Sequence, residues 1–219
     1  MNIKAYFFDQ LKSFFLDKGY KFYANAGPRF ILKQDNYVVQ TSFNYLAKAK
    51  KIYGGKLNLS LNEVEDIIIE IQFPNQIFTS YLDKKEDFFA TIGDKEGILN
   101  FSDVELDTEE KIIDHTNEIK KYIDNYSEKF IKKFTYLPNV LKEIDKLEIE
   151  GKYWNELLAG GPEFLFRGLI ISKLCNDEKY ENKLLYVESL LKSMADEYLP
   201  YFEKLKLRLK SLEPKYNIK

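Results

Sequence analysis

The chain is poor in the residues that site chemistry usually needs: 219 residues hold one cysteine, one histidine and one tryptophan. A lone Cys175 excludes an intrachain disulfide and any metal site built from several thiolates. It shares an apolar helical pattern with Ile170, Ile171 and Leu174, which marks it as a buried structural thiol. The lone His115 sits mid-helix between Asp114 and Thr116, with no nucleophile or proton partner at a recognisable spacing, so it reads as a surface residue. Gly54-Gly55-Lys56 lacks the flanking spacing of a phosphate loop and precedes a strand. Gly160-Gly161 does precede a helix, but one helix start is a weak sign of an anion site. There is no Gly-x-Ser-x-Gly elbow. No apolar run approaches bilayer length and no secretory leader is visible, so the expected location is the cytoplasm and no membrane partner is expected. A net charge of −2 gives no general attraction to nucleic acid, which is not an expected partner.

Aromatic residues are abundant: 17 Phe and 16 Tyr, large side chains suited to filling a core. Hydrophobic content of 45% argues against general disorder, and the length allows one large domain or two small ones. Charge is uneven. Residues 1–60 carry ten basic against three acidic side chains, and residues 61–110 three basic against fourteen acidic. Two opposed surface poles of this kind can steer a partner.

Residues 19–62 organise the rest. Tyr37, Val39, Thr41, Phe43 and Tyr45 alternate with Gln40, Ser42 and Asn44. Leu57, Leu59 and Leu61 alternate with Lys56, Asn58, Ser60 and Asn62. Alternation of period two places apolar side chains on one face of a sheet and polar ones on the other. Weaker alternation at Tyr20, Phe22 and Ala24, and at Phe30 and Leu32, adds two more strands, although Ile31 blurs the second. Asp35-Asn36 can supply the positive-φ turn of a tight hairpin, and Gly54-Gly55 a second break. Short links and half-buried faces favour an antiparallel meander.

Before these strands, Asn2 can cap a helix that Gly19 closes, with Ile3, Tyr6, Phe7, Leu11 and Phe14 on one face. After them, Ile67, Ile69, Ile71 and Phe73 alternate up to Pro74 and read as a fifth strand, although Asn62 to Glu65 could open a short helix. Residues 88–91 and 98–101 read as further strands around a turn over 93–97, with Asp94 and Asp103 as turn residues. Asp107 with Glu110 forms a capping box for a helix to about Asp124. Helices continue over 126–134 and from Pro138 to about Leu147. A boundary is expected at Glu150-Gly151, after which short helices end in a hairpin about Asn176 and a last helix beyond Pro200. The expected fold is therefore α+β: an N-terminal helix packed on an antiparallel meander sheet (residues 1–149), followed by an all-helical segment (150–219).

The first 145 or so residues resemble a bacterial family known as domain of unknown function 4304. The likeness is carried by the N-terminal helix, Gly19-Tyr20-Lys21, Arg29-Phe30, the strand with Gln40 and Ser42, and Leu57-Asn58-Leu59-Ser60-Leu61. Ile92-Gly93-Asp94 falls where that family has an Arg-Ile-Gly turn, with Thr91 in place of the Arg, and residues 122–142 resemble its closing helices. A Trp pair of the family near residues 103–107 is absent. The resemblance implies a helix on a sheet and brings no catalytic residues.

The expected function is non-catalytic binding of another protein, as in an immunity-type or accessory bacterial module, without a cofactor. The expected surface joins the polar sheet face, Gln40, Ser42, Asn44, Asn58 and Ser60, to a loop over residues 47–56 in which Lys48, Lys50, Lys51 and Lys56 surround Tyr53. Lysines around an aromatic could also grip RNA, a second reading. A third is a metal-dependent hydrolase or nucleotide-processing enzyme using Glu63, Glu65, Asp66 and Glu70, or Asp103, Glu105, Asp107, Glu109 and Glu110, although neither cluster has a known metal-ligand spacing. Tyr153, Trp154, Phe164 and Phe166 are read as packing residues, with a groove between helices as the alternative.

Overall fold

Helix α1 (Ile3–Asp17) begins where Asn2 Oδ1 accepts the Ala5 amide at 3.1 Å, and it ends at Gly19, whose φ is +83°. Its buried stripe is Phe7, Phe8, Leu11 and Phe15. The computed structural model describes residues 2–24, 27–73, 89–94 and 105–217. A five-stranded antiparallel sheet follows in the order β1-β2-β3-β4-β5, with β1 (Lys21–Tyr23), β2 (Arg29–Lys33), β3 (Tyr37–Leu46), β4 (Lys51–Leu61) and β5 (Ile92–Gly93). Register pairs Phe22 with Phe30 and Phe30 with Thr41. That stacks the aromatic positions of one face under α1: Phe15 lies 4.1 Å from Phe30 and Phe7 5.5 Å from Phe43, centroid to centroid. Burying each such ring is worth roughly 1.5–3 kcal/mol.

Two turns differ from expectation. The β2–β3 link is the expected tight one, with Lys33 paired to Val38 and the Gln34 amide donating to the Tyr37 carbonyl at 2.9 Å, but Asp35 and Asn36 turn it without a positive φ. Gly54-Gly55 is not a break between strands. Both residues lie inside β4 with φ of +114° and +89°. At Gly54 a Cβ would stand 2.0 Å from the Ser42 carbonyl oxygen on β3, so glycine lets the two backbones meet there.

The expected strand over residues 67–73 is instead helix α2 (Asn62–Ile71). Ile67, Ile69 and Ile71 fit a period of two, but Val64, Ile67, Ile68 and Ile71 also fit i, i+3, i+4, i+7, and these four are the buried apolar residues of the helix. Phe89, Ala90 and Thr91 form no strand, and Gly93 lies in β5 and not in a turn. The strand expected over 98–101, most of the turn over 93–97, Pro74 and Asp103 lie outside the described residues.

The remaining helices are α3 (Glu109–Tyr122), a π-helical turn (Ile123–Ser127), α4 (Glu128–Phe134), α5 (Leu137–Ile149), α6 (Glu163–Leu174), α7 (Tyr180–Met194) and α8 (Leu199–Lys210). The cap of α3 is Thr108, whose hydroxyl accepts the Lys111 amide; Asp107 instead binds the Lys111 ammonium at 2.7 Å. His115 is not on the surface. It is 3% exposed, with its ring 6.2 Å from that of Phe7. Burial alone pushes its pKa down to about 4. Its place three residues after the buried Ile112 is the local signal for this.

Contacts gather the chain into two units of two segments each: residues 1–59 with 94–132, and residues 60–93 with 133–219. Glu150-Gly151 lies inside the second. The first unit holds α1, the sheet through Leu59 and α3. The second is built around α6, which is buried on nearly every side and touches α2, α5, α7 and α8. At Gly168 an added Cβ would stand 2.2 Å from Trp154 Cε3, so the indole lies directly on the helix backbone. Cys175 is wholly buried, and its thiol is pushed up to about 12, first by burial.

Candidate functional site

The expected binding surface is only partly assembled. Gln40, Ser42 and Asn44 share one face of β3, the first two half-buried and Asn44 exposed. That face is not uniformly polar, because Ile31, the cross-strand partner of Gln40, is 1% exposed. The loop over residues 47–56 is shorter than expected: a 3₁₀ turn at Ala47–Ala49 and Lys50 at φ +49°, after which β4 begins. Ile52 is buried between half-buried Lys51 and Tyr53, a strand pattern out of step with that of Leu57 and Leu59. Lys48 and Lys50 stand exposed on the turn, whereas Lys51, Tyr53, Lys56 and Asn58 are strand residues; Ser60 is buried and belongs to the second unit.

The carboxylates of α2 point to separate partners. Glu63 accepts the Lys215 ammonium at 3.0 Å and the Tyr216 hydroxyl at 3.2 Å, and Glu70 accepts Arg208 Nε at 2.6 Å. Glu65 is buried and takes Arg167 through both oxygens, at 2.8 and 2.7 Å, with Thr91 Oγ1 donating at 2.6 Å. Arg167 also donates to the Ala159 carbonyl, and Thr91 Oγ1 accepts the Leu61 amide. The network is closed on itself, a structural pin through the second unit. Among the described residues no group of three or more His, Cys, Asp or Glu is placed to hold a metal ion, and no helix is long and apolar enough to cross a membrane.

In the first unit Asp94 is a buried acceptor for the hydroxyls of Tyr122 and Tyr126, not a turn residue on the surface. Burial and the bond to Asp94 push the Tyr122 hydroxyl far up, so it stays protonated.

One concavity among the described residues lies wholly in the second unit. A cleft of about 570 Å³ is lined by Glu148 at the end of α5, Lys152 and Tyr153 in the turn that follows, and Lys183, Tyr186 and Leu190 of α7. Its floor is a charged cluster. Lys183, 2% exposed, donates to Asp145 at 2.5 Å and to Asp177 at 2.7 Å. Burial opposes its charge, but those two bonds prevail and raise its pKa. Asp177 is fixed in turn by the Ser172 hydroxyl and the Lys179 amide. Glu148 is held less tightly: Oε1 accepts Trp154 Nε1 at 3.2 Å, and Oε2 is 3.9 Å from the Lys183 ammonium. Burial first, and then the charge of Asp145 working against the pull of Lys183, leave its pKa raised. The indole of Trp154 is buried 5.6 Å from the Tyr186 ring, while Tyr153 is 48% exposed at the mouth.

Sequence reasoning read Tyr153, Trp154 and Phe166 as packing residues; Trp154 and Phe166 are wholly buried, whereas Tyr153 lines the cleft. It missed Lys183, Asp145 and Glu148. A lysine at i, with Val187 and Leu191 at i+4 and i+8, was the available sign that Lys183 faces inward. Next to the cleft, α7 turns an uncharged stripe outward: Asn182, Leu185, Tyr186, Ser189 and Ser193, with Leu185 65% exposed. No protein-family model, no curated protein and no solved structure matches this chain.

Proposed function

We propose that the protein is a non-catalytic protein-binding module of a bacterial cytoplasm, and that the outer face of α7 with its adjoining cleft is its principal binding surface. The likeness of residues 1–145 to a bacterial family of unknown function belongs to this proposal. The observation that carries the binding role is the uncharged stripe on α7. Leu185 stands in solvent beside Tyr186, Ser189 and Ser193, and the stripe borders a cleft walled by Tyr153, Tyr186 and Leu190. An exposed apolar patch beside a pocket marks a surface for docking, and tyrosine is a frequent anchor there. Small serines at i and i+4 let a second helix approach closely, so an amphipathic helix is the partner element that fits.

A photo-crosslinking side chain at Ser189 in the cell should give one discrete adduct that a side chain at Leu207 on α8, also exposed, does not. Leu185→Asp should remove it. Equal labelling from both positions would count against the reading.

A further inference from the structure

Strands β1 to β4 carry five cations, Lys21, Arg29, Lys33, Lys51 and Lys56, and no Asp or Glu. Register decides where the cations of the first two strands point. Phe22, Phe30 and Thr41 form one cross-strand row on the face under α1, so the rows on either side of it face the other way. One holds Lys21, Ile31 and Gln40, and the other Tyr23, Arg29 and Ser42. Lys33, paired with Val38, continues this outer face. On β4, Lys56 and Asn58 alternate with Leu57 and Leu59, which are wholly buried, and so point away from the core. The β3–β4 turn adds exposed Lys48 and Lys50. Among the described residues Lys21, Lys48, Lys51 and Lys56 belong to no ion pair, and Lys50 only helps to hold the Asp107 carboxyl down. The net charge of −2 conceals this basic face, because the surplus of carboxylates lies in residues 61–110.

Aromatic and amide groups share the face. Tyr23 is half-buried with the Arg29 guanidinium 5.6 Å from its ring centre, and Tyr53 is half-buried on β4 next to buried Ile52. Gln40, Asn44 and Asn58 each offer both a donor and an acceptor. Lysines hold phosphates without regard to sequence, whereas an unpaired base needs a ring to lie on and amides to meet its edge. An acidic peptide would use only the lysines, and a duplex keeps its bases stacked on one another. We propose that the outer face of the sheet binds single-stranded nucleic acid, with lysines along its phosphates and Tyr53 beneath a base. This surface lies in the first unit and does not depend on the α7 face, which belongs to the second.

The test uses the full-length protein and fluorescent strands of about twelve nucleotides, oligo-uridine and oligo-thymidine, followed by anisotropy at low ionic strength. Saturable binding is expected, with the tighter strand identifying the preferred sugar. The oligo-uridine strand annealed to oligo-adenosine should bind about tenfold more weakly, since its bases are no longer free to stack on the protein. Affinity should fall with salt at a logarithmic slope of about −3, the value for roughly four neutralised phosphates of a single strand. Lys48→Gln with Lys56→Gln should make that slope shallower by about 1.4. Tyr53→Leu should weaken binding about tenfold and leave the slope unchanged. Lys142→Gln with Lys210→Gln, at exposed positions of α5 and α8, should change neither. A matching far-ultraviolet spectrum and melting temperature for each variant would show that its fold is kept. The proposal is overturned by no saturable binding of either strand, by equal affinity for the duplex, or by equal losses from the two lysine pairs. Poly-glutamate that displaces the strand as well as unlabelled oligonucleotide does, at equal charge, would overturn it too, and would point to an acidic protein instead.

Discussion

Glu65 and Arg167 form a buried, two-pronged ion pair with side chains 4% and 3% exposed. Removing one member leaves the other charged in a dry interior, which costs about 3–5 kcal/mol. Arg167→Met should therefore lower the unfolding free energy in urea by that amount. The double variant Glu65→Leu with Arg167→Met should regain much of the loss, because no lone charge remains. A single Arg167→Met variant as stable as the parent would refute a pinning role. At this scale the sequence says little. Arg167 is visible as a cation amid the apolar residues of its helix, but Glu65 looks like any other acid in a segment rich in them. The two are 102 positions apart, and no periodicity encodes a pairing at that distance. The same holds for Lys183 with Asp145, 38 positions apart, and for Tyr122 with Asp94, 28 apart. His115 was misplaced for a different reason: a polar residue type outweighed its position on the buried stripe of its helix.

Local signals read well at the level of elements where only one period fits. The caps of α1, the alternation of β3 and β4, and the prolines in the first turns of α5 and α8 all led to the right element. The α2 segment satisfied two periods at once, and burial against α6 and α8 decided between them, a tertiary choice that local pattern does not contain. Packing also decides the role of Gly168. Alanine is ordinarily better than glycine inside a helix by about 0.8–1 kcal/mol. Here the added methyl would strike Trp154, so Gly168→Ala should instead destabilise the protein by about 1–3 kcal/mol. Trp154 emission should shift to longer wavelength in the same variant as the indole leaves its bed. A stabilised Gly168→Ala variant with unchanged emission would contradict this contact.

Considered as a whole molecule, the chain passes between its two units three times, at residues 59/60, 93/94 and 132/133. Cutting at the apparent composition boundary, to give residues 1–149, removes α6 and α8 from α2. Val64, Ile67, Ile68 and Ile71 then lose their cover. That fragment should bind a hydrophobic dye strongly and aggregate at concentrations where the full chain is monomeric. A dye-silent, cooperatively unfolding fragment would show that the second unit does not need its C-terminal helices. The same interleaving sets a timetable for biosynthesis. Some ninety residues separate the end of α2 from the start of α6. At about 5–20 residues per second the ribosome takes roughly 5–20 s to cover that distance. Throughout that interval the isoleucines of α2 must wait outside the exit tunnel for a partner helix that has not yet been made, the kind of delay during which nascent chains depend on chaperones.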